Sequence, residues 1–338
     1  QKSAGLRTEL AVHGERRFRV VGLSAMGSYL ARQLSQLFIT LFGIITVTFF
    51  MVRMIPGDPA QYMLGDYATD EALATLRAQM GLDKPVVVQY MMYMARAVTG
   101  DLGDSVITGR SALSEILQSL PDSTILAFAG LAIAVAIGVP MGIITAMRQG
   151  TWADTLIMLV ALAGISFPVF WLGLASILLF SQELKWFPAL GSSSGQGFWN
   201  AVYYLTLPAL VLGVSVAAYV TRLTRSAMLE IIGQDYIRVA RAMGVPERVI
   251  VWRLAFKNAL IPILAIVGVT FAYSLGSAIL IEVVFSRPGV GSTILKAVSA
   301  RDYQLVQAGV LILAVGVVAV NTLLDLTYAL VDPRMRKR

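Results

Sequence analysis

Six stretches of this chain carry no charged side chain over 20 residues or more, the length that an α-helix needs to cross the hydrocarbon core of a bilayer. They cover residues 33–52, 123–147, 155–182, 200–221, 258–281 and 303–324. Charged residues make up only 14% of the chain and hydrophobic residues 57%, whereas soluble proteins carry about 25% charged residues. We therefore predict an all-α integral membrane protein with six transmembrane helices. The same composition excludes a soluble enzyme and a disordered chain.

The charged residues orient these spans. Six crossings place both termini on one side of the membrane, and Lys and Arg concentrate in the N-terminal tail, in residues 222–257 and at the C-terminus. The positive-inside rule then predicts that both termini are cytoplasmic. The predicted parts are a cytoplasmic tail at 1–27, a first span at 28–55, an extracytoplasmic helical subdomain at 56–119, and a membrane core at 120–335 with a cytoplasmic loop at 226–257. Met26 is a candidate native start, which would make the residues before it additional.

The first outer segment is long enough to hold helices of its own. Thr69, followed by two acidic residues, is a helix start that Gly81 can end. Pro85 opens a second helical stretch that Gly100 can end. This punctuation predicts two helices within 56–119.

The residues that most enzymes need are missing. The chain has no cysteine and a single histidine, His13, so thiolate metal sites and nucleophile–histidine pairs are excluded. It also lacks the G-x-x-x-x-G-K-[ST] loop that cradles nucleotide phosphates. We expect no enzymatic activity and no cofactor in this chain. The net charge is +7, and the positively charged residues flank the apolar spans. This placement favours membrane lipid over nucleic acid as their partner.

The inner segment 226–244 has helical periodicity. Its apolar residues recur at the spacing of one helix face: Met228, Ile232, Tyr236, Val239 with Ala240, and Met243. Gly244 is suited to end this helix in the left-handed conformation, and Pro246 can begin the next helix. Two interpretations remain open on these residues: a helix at the lipid interface, or a helix offered to a cytoplasmic partner.

This segment resembles the coupling loop of bacterial ABC import permeases. Arg238, Val239, Ala240 and Gly244 match its Glu-Ala-Ala-x-x-x-Gly pattern, with arginine in place of glutamate. Other motifs follow in the family's order: Gly57-Asp-Pro59, Gly81-Leu-Asp-Lys-Pro85, Gln89-Tyr90, Gly100-Asp-Leu-Gly-Asp-Ser105, Glu282 to Gly291, Arg301-Asp-Tyr303 and Asp332-Pro-Arg334. Together they resemble the dipeptide/oligopeptide/nickel permeases, specifically the B-type subunit, over residues 27–336.

The resemblance implies a type I ABC importer permease fold in a bacterial inner membrane. It further implies a second, similar permease, two ATPase subunits that bind ATP and Mg²⁺, and an extracytoplasmic binding protein that delivers a short peptide. The implied ATPase-coupling residues are Tyr236, Ile237, Arg238, Ala240, Arg241, Ala242 and Gly244. The alternatives are another cargo, such as a nickel chelate, glutathione, an opine or an oligosaccharide, and a stand-alone channel or secondary transporter.

Three ionisable residues near span ends are further candidates. Glu282 lies at the outer end of the fifth span and Asp325 at the inner end of the sixth, where a carboxylate can serve a structural or a gating role. Their positions near the interfaces favour a helix cap or a structural ion pair. Arg53, at the outer end of the first span, is expected to reach the lipid headgroups.

Overall fold

The computed structural model describes residues 35–54, 58–65, 68–192 and 197–331, with the side chains of the last helix described to residue 323. The described elements are helices, apart from an isolated bridge between Asp104 and Ser111. In chain order they are α1 (Ser35–Arg53), α2 (Pro59–Leu64), α3 (Asp70–Gln79), α4 (Val86–Thr99), α5 (Ala112–Met147), α6 (Trp152–Ser166), α7 (Val169–Ser176), α8 (Phe198–Ile232), α9 (Asp235–Ala242), α10 (Glu247–Val249), α11 (Phe256–Val284), α12 (Val290–Ser299) and α13 (Tyr303–Val331). A π-helical turn extends α7 over Ile177–Glu183, and another joins α10 to α11 over Ile250–Ala255.

Helices α5 and α8 form the centre of the fold and run parallel. Three glycines of α5 face α8 at a constant offset: Gly130 meets Leu212, Gly138 meets Val220 and Gly142 meets Thr224. A Cβ at Gly142 would lie 2.5 Å from Thr224 Cβ and 2.7 Å from the Thr221 carbonyl oxygen. Small residues at these positions let the two backbones approach closely, which is how membrane helices associate.

Two apolar clusters show which ends of the helices lie on the same side of the protein. The inner cluster joins Ile143 and Ala146 of α5 to Ala227 and Met228 of α8 and to Ala259 of α11. The outer cluster joins α1, α5, α12 and α13 around Ile45, Ile116, Val290, Leu305 and Leu311. Helix α11 therefore runs antiparallel to α5, and α13 starts at the outer end.

The parallel orientation of α5 and α8 also determines how many times the chain crosses the membrane. Helix α5 ends on the inner side and α8 begins on the outer side, so residues 148–197 must cross the membrane once between them. With this crossing, residue 35 and the C-terminal end of α13 lie on the same side, as six spans require. The long apolar helices confirm the predicted fold class, and the described residues contain five unbroken candidate spans and one bent pair.

The third predicted span is formed by two helices that meet at a sharp bend. Helices α6 and α7, the latter with its π-helical turn, meet at an angle of 98°. Pro168 lies at the corner, and Phe167 before it is extended, with φ −82° and ψ 131°. Proline disfavours the helical conformation in the preceding residue, which accounts for the break.

The outer helices α3 and α4 lie where the sequence placed them. The Thr69 hydroxyl accepts a hydrogen bond from the Ala72 amide at the start of α3, and Gly81, just past its end, has φ 67°. Helix α4 follows Pro85 and ends at Gly100 in the left-handed conformation. Helix α2 was not predicted, and α5 begins 11 residues before its predicted span. The N-terminal tail, Gly57 and the motif at 332–334 lie outside the described residues.

Candidate functional site

The inner segment that resembles a coupling loop begins where α8 ends. The predicted continuous helix over 226–244 is wrong, because the chain leaves the helix at Gly233 and Gln234 and starts α9 at Asp235. Met228 belongs to α8 and is fully buried in the inner cluster. The short helix α9 is therefore a separate element, and it contacts the end of α8 and the π-helical turn before α11.

Helix α9 is anchored by one side chain. Ile237 is fully buried, and it is the only buried residue of α9. The apolar face that the sequence predicted for this segment includes Tyr236, Val239 and Met243, and these residues are exposed, as both interpretations of that face require. These three side chains are 40%, 56% and 78% exposed and lie three and four positions apart, so they form one solvent-facing apolar stripe. We call these three residues the α9 stripe.

Gly244 shapes the end of this helix. It has φ 77°, the left-handed conformation that costs other residues energy. Its amide donates to the Arg241 carbonyl at 3.1 Å, and the Val245 amide donates to the Ala240 carbonyl at 3.1 Å. These two bonds form a Schellman motif, which satisfies carbonyls that the helix end leaves free. Pro246 then precedes α10 as its N-cap and is not its first helical residue.

The two arginines of α9 have partners within the chain. Arg238 donates to the Gly233 carbonyl at 3.1 Å and lies 3.4 Å from Asp235. Arg241 donates through two nitrogens to the Glu247 carboxylate, so it ties α9 to α10 across the Gly244 turn. That hydrogen bond raises the pKa of Arg241 and keeps it charged. Both arginines therefore support the shape of the segment.

Tyr236 connects the segment to a membrane helix. Its hydroxyl accepts a hydrogen bond at 3.0 Å from the Asn258 side-chain amide, which also donates to the Leu254 carbonyl at 2.7 Å. Asn258 is in the first turn of α11. Helix α9 is thus held between α8 and α11 by a buried isoleucine, a tyrosine and an arginine–glutamate pair. Such a short, doubly tethered helix can transmit a displacement to both spans.

A buried ion pair supports this inner face and was missed in the sequence. The Nε and Nη2 atoms of Arg225 in α8 donate to the Asp154 carboxylate of α6, at 2.9 and 2.8 Å. Asp154 also accepts from the Gly150 amide at 3.0 Å. Thr151, three residues earlier, caps α6, and this T-x-x-D spacing was the one signal available. The pair lies 71 residues apart, a distance over which sequence offers no pairing rule.

Glu282 lies at the opposite, outer end of the core and is almost fully buried. Its carboxylate accepts from the Ser123 hydroxyl at 2.5 Å and from the amides of Gly291 and Ser292 at 2.8 and 3.2 Å. A Cβ at Gly289 would overlap this carboxylate. Glu282 thus occupies the N-terminal end of α12, where the helix dipole favours a negative charge. This geometry favours a structural over a gating role for Glu282. The side chain of Asp325 lies outside the described part of the chain.

Two further outer motifs are explained by contacts between distant segments. Asp302 is fully buried and accepts from the Ser105 hydroxyl at 2.6 Å and the Val106 amide at 2.9 Å, so it fastens the outer segment to the start of α13. Arg53 donates to the Gln89 side chain at 2.6 Å and lies over the Phe49 ring. The expected contact of Arg53 with the lipid headgroups stays a prediction, and within the chain Arg53 links α1 to α4.

Comparison with family models decides the classification. The model described as "Binding-protein-dependent transport system inner membrane component" matches residues 138–337, and the corresponding N-terminal model matches residues 26–121. The chain belongs to this family. This permease is accordingly a multi-pass protein of the bacterial cytoplasmic membrane, and the resemblance noted in its sequence is confirmed.

Individual relatives resemble this permease over nearly its whole length. It is 40% identical to the dipeptide transport system permease protein DppB of Alkalihalophilus pseudofirmus, over 92% of this chain and 100% of the relative. It is 39% identical to the di/tripeptide transport system permease protein DppB of Pseudomonas aeruginosa, over 92% and 99%. It is 37% identical to the glutathione transport system permease protein GsiC of Escherichia coli, over 92% and 99%.

A solved structure supports the fold. The structure titled "Inward facing conformations of the MetNI methionine ABC transporter" superposes with a TM-score of 0.52 at 18% identity. The match covers 64% of this chain and 95% of that chain. At this identity the likeness concerns the fold alone.

Proposed function

We propose that this permease forms one half of the translocation path of an ATP-driven importer for short peptides. In this proposal it pairs with a second, similar permease, and an extracytoplasmic binding protein delivers the cargo. Two ATPase subunits bind ATP and Mg²⁺ on the cytoplasmic side, and this chain itself carries out no chemistry. The 37–40% identity to dipeptide, di/tripeptide and glutathione permeases over whole chains supports the assignment.

The α9 stripe is the observation that carries the proposal. Tyr236, Val239 and Met243 lie on the inner side, on a segment whose other face is fixed by the buried Ile237. Exposed apolar residues with a polar rim are typical of protein interaction sites. Between the two interpretations that the sequence left open, this arrangement favours a protein partner, because the pairs Arg238–Asp235 and Arg241–Glu247 hold α9 in one shape and leave the stripe exposed.

The mechanism follows from how α9 is tethered. When two ATPase subunits close on ATP, a displacement of α9 would be transmitted through Asn258 to α11 and through Gly233 to α8. Helix α8 packs along α5, so these spans would move as a unit. Inward- and outward-facing states then differ in their affinity for ATP and for the loaded binding protein, which is the thermodynamic requirement for coupling.

A pull-down tests the assembly. The tagged chain is purified from its native membrane in mild detergent, and the co-purifying proteins are identified by mass spectrometry. We expect a second permease and two ATPase subunits. A matched sample carrying Met243→Asp, which places a charge on the stripe, should retain the second permease and lose the ATPases. Recovery of the chain alone, or only with copies of itself, would contradict the proposal.

The cargo is tested separately with the reconstituted complex. A radiolabelled dipeptide, a tripeptide and glutathione are presented with the binding protein to proteoliposomes that contain ATP. Uptake of the unmodified peptides supports the peptide proposal. Uptake of glutathione alone would support the second candidate, which the similarity to the glutathione permease favours.

A further inference from the structure

Helix α4 carries an exposed apolar face in the segment expected to be extracytoplasmic. Val87, Met91 and Val98 are 67%, 61% and 79% exposed, and their spacing of four and seven places them on one side of the helix. Within Val86–Thr99, which the structure describes throughout, the only charged residue is Arg96 and no residue is buried. A helix in water would leave this face unfavourably hydrated.

A different side of α4 is bound to α1. Gln89 accepts from Arg53, the Tyr90 hydroxyl lies 2.8 Å from the Thr46 hydroxyl, and the Tyr93 ring stacks on Phe49 with centroids 5.6 Å apart. These contacts fix the two helices side by side over two turns of α1.

The contacts also give the depth of α4. Arg53 ends the first span, and Thr46 lies seven residues before it, which is about 10 Å along a helix axis. A tyrosine of α4 therefore reaches well below the outer end of a membrane-spanning helix. Helix α4 lies beside the outer third of α1 and does not stand above the membrane.

The exposed face of α4 continues a surface that faces lipid. Phe50 of α1 is exposed and stacks with Tyr90 at 5.9 Å, and Met54 beyond it is more exposed still. The apolar side chains of the span thus pass without interruption to those of α4. Tyrosines at this level are typical of the membrane–water interface.

We propose that α4 is an interfacial membrane helix and that its Val87–Met91–Val98 face is covered by acyl chains of the outer leaflet. The polar side of the helix, with Arg96, faces the headgroups and water. In this proposal part of the predicted extracytoplasmic subdomain at 56–119 lies at the level of the outer leaflet. It also accounts for a helix that anchors α1 and yet buries none of its own residues.

Site-directed spin labelling tests this directly, because the natural chain has no cysteine. Single cysteines replace Met91 and Val98, with Phe50→Cys as the lipid-facing reference and Thr75→Cys in α3 as the aqueous reference. Arg96→Cys on the other side of α4 is the matched control. The assembled transporter is placed in nanodiscs of phosphatidylethanolamine and phosphatidylglycerol, and collisions of the nitroxide with oxygen and with a water-soluble nickel chelate are measured.

At Met91→Cys and Val98→Cys we expect oxygen collisions to exceed nickel-chelate collisions several-fold, as at Phe50→Cys. The opposite ratio is expected at Thr75→Cys and Arg96→Cys. Nickel-chelate access at positions 91 and 98 equal to that at 75 would overturn the proposal. So would immobile labels that neither reagent reaches, since that result means that a second permease or the binding protein covers the face.

A second measurement does not depend on nitroxide mobility. A bimane fluorophore at Val87→Cys is expected to be quenched by phospholipids brominated on their acyl chains, to an extent similar to a fluorophore at Phe50→Cys. Quenching no greater than at Thr75→Cys would contradict a lipid-covered face.

Discussion

The turn at Gly244 offers the sharpest test of how α9 is used. No described atom lies within 4 Å of a Cβ built on Gly244, so a side chain there meets no steric obstacle in this chain. The cost of substitution is instead conformational, because φ is 77° and the left-handed region costs an ordinary L-residue roughly 1–2 kcal/mol. Asparagine adopts this conformation at low cost, whereas a β-branched residue does so poorly.

This cost converts into a defined loss of function. An energy of about 1–2 kcal/mol lowers the fraction of chains that hold the native turn relative to an alternative by roughly 5- to 30-fold. We therefore expect the uptake of peptide per ATP hydrolysed to follow the order wild type, Gly244→Asn, Gly244→Ala, Gly244→Val. Gly244→Pro should be the most severe, because it fixes φ near −65° and removes the amide that donates to Arg241.

The assay uses proteoliposomes that contain the permease with its partner subunits. Peptide uptake and phosphate release are measured in the same sample, and membrane insertion of each variant is checked by its yield. Wild-type uptake per ATP in Gly244→Val or Gly244→Pro would refute the reasoning. Equal loss in Gly244→Asn and Gly244→Val would also refute it, since the backbone conformation would then not be the cause.

Three further predictions concern contacts that hold the helices together at the inner end, along α5 and α8, and at the outer end. Gly142→Ala should lower the free energy of unfolding by about 1–3 kcal/mol, because its Cβ would lie 2.5 Å from Thr224 Cβ. Thermal unfolding in detergent measures this change, and the control is Gly276→Ala, whose Cβ would meet no atom within 4 Å. An unfolding midpoint of Gly142→Ala as little changed as that of the control would argue against close contact between α5 and α8. Asp154→Asn should lower the free energy of unfolding by about 3 kcal/mol, which is at the low end for a broken buried ion pair because Arg225 is 24% exposed. The double variant Asp154→Ala with Arg225→Met should restore part of this loss. An unfolding midpoint of Asp154→Asn equal to that of wild type would show that the ion pair contributes nothing to stability. Glu282→Gln should accelerate hydrogen exchange at the amides of Gly291 and Ser292 about tenfold or more, because a buried hydrogen bond to a charged group is worth about 1.5–3 kcal/mol. Hydrogen exchange in α9 is the reference that should not change. Unchanged protection of the α12 amides would show that Glu282 does not cap this helix.

Several features of the fold could be predicted because their determinants are local. The long apolar stretches predicted the spans, and Thr69, Gly81 and Gly100 predicted the ends of the outer helices, since a hydroxyl cap or a left-handed glycine acts on its own neighbours. Gly244 belongs to the same class. Its role at the end of α9 depends on residues 240–245 alone.

Other features depend on contacts that a single sequence does not display. The apolar spacing of Met228, Ile232 and Tyr236 continues smoothly through Gly233, so periodicity alone predicts one helix where the structure has two. The sequence also did not identify Ile237 as the residue that anchors α9. Ile237 is buried because of where α8 and α11 lie, and hydrophobicity does not distinguish it from the exposed Val239.

The polar links between distant segments were the least predictable. Both Ser105 and Asp302 stand in motifs that the sequence singled out, yet their hydrogen bond joins residues 197 positions apart. The bend at Pro168 is a related case. A proline in a span predicts a kink, but its 98° angle depends on how α6 and α7 pack against α8 and α11.

Photocrosslinking shows whether the α9 stripe contacts an ATPase subunit. A photoreactive amino acid at Met243 or Val239 is activated in native membranes, with Trp152, an exposed residue at the inner end of α6, as the control position. We expect positions 239 and 243 to form a covalent adduct with the ATPase, in a yield that changes when ATP is added, and we expect no such adduct at Trp152. Adducts with lipid alone at positions 239 and 243, with ATPase present in the same membranes, would contradict it.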